Sequence, residues 1–466
     1  MSFSVQGRHV VVAGGGRSGV AAAELLLSRG ARVTVSDAAP FAGVDRLRDL
    51  GITVDIGPHP PALFASADLV VLSPGVPATQ PAIDAARQAG VPVMGEIELA
   101  SRWLRGRVIA ITGTKGKSTT TTLAARMLQE GGFDVTAGGN LGVALSGQVA
   151  ASRPESFHVV EVSSFQLESS DTFHPWIAVL LNLSPDHLDR HASYEEYGAA
   201  KARIFVNQTP EDWAVVNADD PAALGLARGS ARRFDFALDS QIAEGVTVEG
   251  GEIVRRVRGG RAVPLLPLTS VHLPGRHLLS DVLAATAVGC VAGVPPAAMR
   301  RAVEGFAGLE HALETVATIG GVRFVNDSKA TNIAAARRAI ESFDRGEVVI
   351  MGGRFKGGRF EDLRDVVAGR AAAIVTIGEA APLITSALGD LVPVRHSASM
   401  ADAVQTAQSL APAGGVVLLA PACSSFDMFH DYAERGREFK KAVLALDRAR
   451  PSAIGESEIE NRQSRI

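Results

Sequence analysis

Cysteine is nearly missing from this 466-residue chain, and its two copies, Cys290 and Cys423, stand far apart in no metal-ligand spacing. A disulfide framework and a cysteine-based metal centre are excluded, and a reducing compartment is expected. Aromatic residues make up 5% of the chain, and neither sign of charge prevails: 46 Lys+Arg against 50 Asp+Glu give a formal net charge of −4. That balance offers no electrostatic footprint for nucleic acid or a membrane surface. No apolar run approaches the roughly 20 residues that cross a bilayer. Met1 to His9 has neither the basic nor the apolar region of a secretory leader. A cytoplasmic protein is expected, with no nucleic acid and no membrane insertion.

What the chain has in plenty is glycine, 48 residues, within a 46% hydrophobic composition. Short β-branched runs alternate with alanine- and leucine-rich stretches, the pattern of parallel sheets covered by helices. The length asks for more than one core. The expected architecture is α/β in three consecutive domains: 1–95, Rossmann-like; 96–308, a P-loop-type ATP-binding domain; and 309–450, Rossmann-like again. The polar, aperiodic stretch 451–466 reads as a disordered tail. Strands are expected at Val10–Ala13, Arg32–Ser36 and Leu69–Leu72. Further on they fall at Phe157–Val162, Trp176–Asn182, Trp213–Asn217, Val322–Asn326, Val348–Met351, Ala373–Ile377 and Val416–Ala420. A helix is expected over Val20–Arg29, a linking helix over Glu96–Trp103, and small antiparallel strands within Ser240–Pro267.

Two glycine loops dominate the reading. The first, Gly14-Gly15-Gly16-Arg17-Ser18-Gly19, follows an apolar strand, and Asp37 stands eighteen residues beyond its last glycine. This fits the dinucleotide fingerprint, in which glycines admit the pyrophosphate and the acid meets a ribose hydroxyl. A strand–helix turn that needs glycine only for packing would read the same. The second loop, Gly113-Thr114-Lys115-Gly116-Lys117-Ser118-Thr119, follows Val108-Ile109-Ala110-Ile111. It is a shortened Walker loop: free N–H groups cradle phosphates, Lys117 reaches the β/γ-phosphates and Ser118 can ligate Mg²⁺. ATP binding is expected there. Glu161 ends the strand His158-Val159-Val160, and His187 and Asp189 follow another strand. Acid and imidazole groups at strand ends beside a phosphate loop point to one metal-phosphate site.

The runs GTKGKSTTT, EVSSFQLE, NLSPDHLDRH and YEEYGAAKARIF, then NDSKATN (326–332) and PACSSFDMFHDYAERGREF (421–439), occur in this order. The chain thereby resembles the Mur ligase family, ATP-dependent amino-acid ligases of peptidoglycan precursor assembly, over nearly its whole length. SPGVP (73–77) and GEIEL (95–99) resemble the members that add D-glutamate to UDP-N-acetylmuramoyl-L-alanine. The resemblance implies an acyl-phosphate mechanism with ATP as co-substrate, two Mg²⁺ ions, and a monomer. It implies catalytic roles for Lys117, Glu161, His187 and Lys201. Ser118, Glu161, His187 and Lys201, the last as a carbamate, would hold metal. Arg17, Ser18, Asp37, Ser73, Asn140 and His187 would bind the UDP-substrate. Asp327 would join Gly113 to Thr119 in binding ATP, and Lys329, Thr331, Lys356, Ser425 and Phe426 would receive D-glutamate.

Four positions depart from the family pattern. Lys115 replaces a usual asparagine, Leu278 and Asp281 replace two more, and Ala312 replaces an arginine after His311. Lys115 is expected to offset the missing arginine. Rival readings stay open at this point: another Mur-type ligase, an NAD-dependent oxidoreductase resting on the first loop alone, or a nucleotide-binding homologue without catalysis.

Overall fold

The computed structural model describes residues 3–140, 142–187, 190–344 and 346–448; the stretch 451–466 and Asp189 lie outside the described residues. The chain divides into two compact units. The first runs to His272 and includes His277–Phe306; the second comprises Leu273–Arg276 and the described residues from Ala307 onward.

The first unit holds two parallel sheets. In the N-terminal one, β1 (His9–Ala13), β2 (Arg32–Asp37), β3 (Thr53–Ile56), β4 (Leu69–Leu72) and β5 (Val93–Gly95) are ordered β3-β2-β1-β4-β5. The central strands β1 and β4 are apolar on both faces and almost wholly buried, as a sheet covered by helices on both sides demands. The expected helix starts three residues early, at Arg17–Ser28, because Gly16 takes the extended N-cap position. The linking helix is Glu96–Ser101. The Glu98 carboxylate anchors it, accepting the backbone N–H groups of Asp171, Thr172 and Phe173.

The second sheet contains β6 (Arg107–Thr112), β7 (Val135–Gly139), β8 (Phe157–Glu161), β9 (Ile177–Leu180), β10 (Trp213–Val216) and β11 (Arg232–Arg233), in the order β11-β10-β9-β6-β8-β7. Its register positions the chemistry. Ile111 of β6 pairs with Glu161 of β8, and Glu161 pairs with Gly139 of β7. One carboxylate thus sits between the phosphate loop and the Gly138–Asn140 turn. A small sheet follows, β12 (Asp235–Phe236), β13 (Gly245–Glu249), β14 (Glu252–Arg256) and β15 (Val263–Pro267), antiparallel from β13 onward.

In the second unit β16 (Glu314–Ile319), β17 (Val322–Asn326), β18 (Glu347–Gly352), β19 (Ala371–Ile377), β20 (Val394–His396) and β21 (Val416–Leu419) form one sheet, ordered β16-β17-β21-β18-β19-β20, with only β16 antiparallel. The adjacent β17, β21 and β18 deliver their following loops to one rim, where open α/β sheets bind ligands. At the opposite end Glu347 is wholly buried, and burial pushes its carboxyl up to about 8 against the pull of Arg370. The unfolded chain ionises near 4.5, so stability falls as pH rises from there to about 8 and is level above. Glu347→Gln is therefore expected to melt with the parent near pH 5 and several degrees above it near pH 9 in calorimetry. Equal shifts at both pH values would contradict this. Among the described residues no helix is long and apolar enough to cross a membrane.

Candidate functional site

The first loop is held by its neighbours. Gly14 sits at φ 90°, and Ser73 Oγ donates to its carbonyl at 2.8 Å. A Cβ on Gly19 would lie 1.8 Å from that same carbonyl oxygen, so no other residue fits. Asp37, the acid of the fingerprint, accepts the Gly15 N–H at 2.6 Å and the Ala39 N–H at 2.9 Å. Much of its hydrogen-bonding capacity therefore goes to shaping the loop. Beside the loop opens a cavity of about 480 Å³ lined by Arg17, Ser18, Asp37, His59, Ser73 and Asn140, among others. Arg17 reaches across it to donate to the Gly142 carbonyl at 3.2 Å.

The second loop passes from β6 into the helix Lys117–Glu130 through Gly116, at φ 83°. The Asn182 side chain braces it: Oδ1 accepts the N–H groups of Thr114 and Lys115, and Nδ2 donates to the Lys115 carbonyl. Lys117 Nζ donates to the carbonyls of Gly113 and Thr114, both at 2.9 Å. Glu161 is the pivot. It accepts from Ser118 Oγ at 2.6 Å on one oxygen and from Asn140 Nδ2 at 2.7 Å on the other. The phosphate loop and the Asn140 wall of the first cavity therefore share one carboxylate.

Lys201 is buried, and its Nζ donates to the Gly113 carbonyl at 2.9 Å and lies 4.6 Å from the Tyr197 ring centre. Burial first, then repulsion from Lys117, brings its ammonium down to about 7. The Tyr197 hydroxyl in turn donates to Thr114 Oγ1. His187, at φ 55°, packs its ring against Phe165 and Tyr197.

The departures from the family pattern resolve differently. Lys115 pairs with Asp186 at 3.1 Å, and although burial works the other way, that bond holds the Asp186 carboxyl low. Asp281 lies under the loop, where a Cβ on Gly116 would meet its Oδ1 at 2.0 Å. Burial pushes this carboxyl up to about 8, against the pull of Thr120 and Lys117. Burial thus favours the protonated carboxyl, which can both donate and accept, as an asparagine does. Leu278 is buried and apolar.

In the second unit Asp327, Lys329 and Thr331 follow β17, Lys356 follows β18, and Ser425 and Phe426 follow β21. Burial pushes the Asp327 carboxyl up to about 7, although it accepts the Leu313 N–H. Lys356 Nζ stands 5.2 Å from the exposed Phe426 ring. Arg435, fully buried, ties two of these loops together by donating to Ser328 Oγ, the Ser328 carbonyl and the Cys423 carbonyl. His59 escaped the sequence reading, and Asn182, Tyr197 and Arg435 stood within the runs NLSPDHLDRH, YEEYGAAKARIF and PACSSFDMFHDYAERGREF without a role of their own. Arg435 lies in the charge-rich helix Tyr432–Arg448, and Asn182 follows β9 with nothing in the sequence to mark its contact with the loop.

Residues 8–95 match the MurD-like N-terminal domain of Mur ligases, 111–289 the Mur ligase middle domain, and 313–423 the Mur ligase glutamate ligase domain. A UDP-N-acetylmuramoylalanine–D-glutamate ligase from Acidobacterium capsulatum is 46% identical over 95% of this chain and 97% of its own. The chain belongs to the Mur ligase family. A ligase of the same name from Koribacter versatilis is 44% identical over 95% of this chain and 99% of its own. Among solved structures, a UDP-N-acetylmuramate–alanine ligase from Thermotoga maritima superposes with a TM-score of 0.58 at 20% identity, covering 94% of this chain and 99% of that one. The three-domain α/β architecture of Mur ligases is therefore the fold of this chain, with the N-terminal domain and all of the middle domain but Leu273–Arg276 within one compact unit.

Proposed function

We propose that this Mur ligase joins D-glutamate to UDP-N-acetylmuramoyl-L-alanine at the expense of ATP, as a cytoplasmic monomer. Relatives 41–46% identical over nearly the whole chain carry that name. The observation that carries the reading is the Glu161 carboxylate, bonded to both the phosphate loop and the wall of the first cavity. The domains proposed are 1–95 for the UDP-substrate, 96–308 for ATP and 309–450 for the amino acid.

A carboxylate is a poor electrophile, so the acceptor oxygen first takes the γ-phosphoryl group and ADP leaves. The D-glutamate amine then attacks the acyl carbon, loses a proton, and phosphate departs with the C–O bond electrons. In this scheme Lys117 neutralises the transferring phosphoryl group, and Gly113 to Thr119 and Asp327 hold the nucleotide. Arg17, Ser18, Asp37, Ser73, Asn140 and His187 position the UDP-substrate, while Lys329, Thr331, Lys356, Ser425 and Phe426 receive D-glutamate. No cluster of three or more His, Cys, Asp or Glu forms a closed metal cage among the described residues. The oxygen pair Ser118 and Glu161 nevertheless fits Mg²⁺, which takes one or two protein oxygens and leaves the rest to phosphates and water. An Mg²⁺ ion held by Ser118 and Glu161 would supply charge neutralisation for the phosphates of the nucleotide. His187 and carbamylated Lys201 are proposed to hold a second ion; an uncharged buried amine is the form that adds CO₂.

Phosphate release is expected to require ATP, the muramoyl-alanine acceptor and D-glutamate together, and to fail with L-glutamate or L-lysine. Absence of release with all three correct substrates would overturn the proposal.

A further inference from the structure

We infer that His59 reads the nucleobase of the acceptor, its Nε2 accepting the ring imide N–H that uracil has and cytosine lacks. The inference rests on the proposed UDP-linked acceptor. Along the carboxyl rim of the first sheet, the order β3-β2-β1-β4-β5 sets His59, Asp37, the Gly14–Ser18 loop and Ser73 in sequence, and all of them line the same cavity. The loop that opens a helix is the place for the diphosphate. From there the acceptor carboxylate has to run toward Asn140 and Glu161. The nucleoside, attached to the other end of the diphosphate, is left the β2–β3 part of the rim, where His59 stands.

The tautomer follows from the neighbours. Ser36 is fully buried, and its hydroxyl donates to Asp55 Oδ2 at 3.2 Å. A hydroxyl has one hydrogen and a carboxylate only accepts, so at 2.9 Å Ser36 Oγ accepts from His59 Nδ1. With its hydrogen on Nδ1, the neutral ring keeps a lone pair on Nε2. Edge contact with the buried Phe64 ring, 5.7 Å between centres, fixes the plane. The nearby Asp37 already accepts two backbone N–H groups, so it is less available to a base. Uracil N3–H meets this acceptor; cytosine N3 brings a second lone pair against it, leaving both unpaired.

The test compares UDP and CDP binding to the full-length protein by calorimetry, in the parent and in His59→Phe and His59→Gln. The parent is expected to prefer UDP by about tenfold or more. Phenylalanine keeps the packing and is expected to bring the ratio to within about twofold, and glutamine, which still offers an acceptor, to restore part of it. A ratio unchanged by His59→Phe, an equal loss for both nucleotides, or a parent that does not discriminate would overturn the inference while leaving the ligase reading intact. Binding of neither nucleotide would overturn the inference as well, while the ligase reading stands or falls with the phosphate-release assay.

Discussion

Glu161→Gln is expected to lower kcat for ADP release by about a thousandfold with all substrates saturating, the cost of losing one essential electrostatic group in a preorganised site. The carboxylate accepts from Ser118 and Asn140 on opposite oxygens. A glutamine amide has a single acceptor oxygen, so one of the two partners meets an NH₂ group instead. The anionic charge facing the phosphate loop is lost as well, and a hard cation held by one or two protein oxygens is the group most sensitive to it. Turnover measured against Mg²⁺ concentration is expected to need more metal and to reach a lower plateau. A variant within threefold of the parent would show that Glu161 only braces the loop.

The second large effect is expected at Lys201. Lys201→Met preserves an unbranched apolar stem in a fully enclosed site while removing the amine. Turnover should drop by at least about a hundredfold, the scale on which ligand or supporting-shell losses act at metal sites. UDP binding should be unchanged, because the first cavity is built from other residues. Carbon-13 NMR with labelled bicarbonate is expected to show a carbamate carbon in the parent and none in the variant. A parent without that signal, or a variant with normal kcat, would remove the carbamate from the mechanism.

The strands most legible in the sequence were those buried on both faces. Leu69–Leu72 and Val322–Asn326 stand where their apolar runs put them. Thr53–Ile56, Glu314–Ile319 and Val394–His396 escaped because they are edge strands, with half-exposed mixtures of polar and apolar residues that leave neither a run nor a clean alternation. The same divide runs through the site. Lys117 and Ser118 could be placed at the start of a helix from the spacing of the glycine loop, and Glu161 at the end of its strand from the apolar run before it. His59 and Arg435 could not be, since what places them is a contact across tens of residues. A buried arginine that donates to backbone carbonyls rather than to a carboxylate runs against the usual expectation for a charged side chain until those carbonyls are seen. The first loop taught the converse lesson. Its fingerprint was complete, yet the acid that in a dinucleotide site faces the ribose binds the loop's own backbone here.

In the proposed reaction ATP at Ser118 and the acceptor at Asn140 both bear on the Glu161 carboxylate, so a ligand that alters the Ser118 bond is expected to alter the strength with which Asn140 is held, and the reverse. By thermodynamic reciprocity, the factor by which ATP changes the affinity for the acceptor equals the factor by which the acceptor changes the affinity for ATP. A preferred order of loading is the expected sign of such a coupling, carried by two hydrogen bonds that meet on a single side chain.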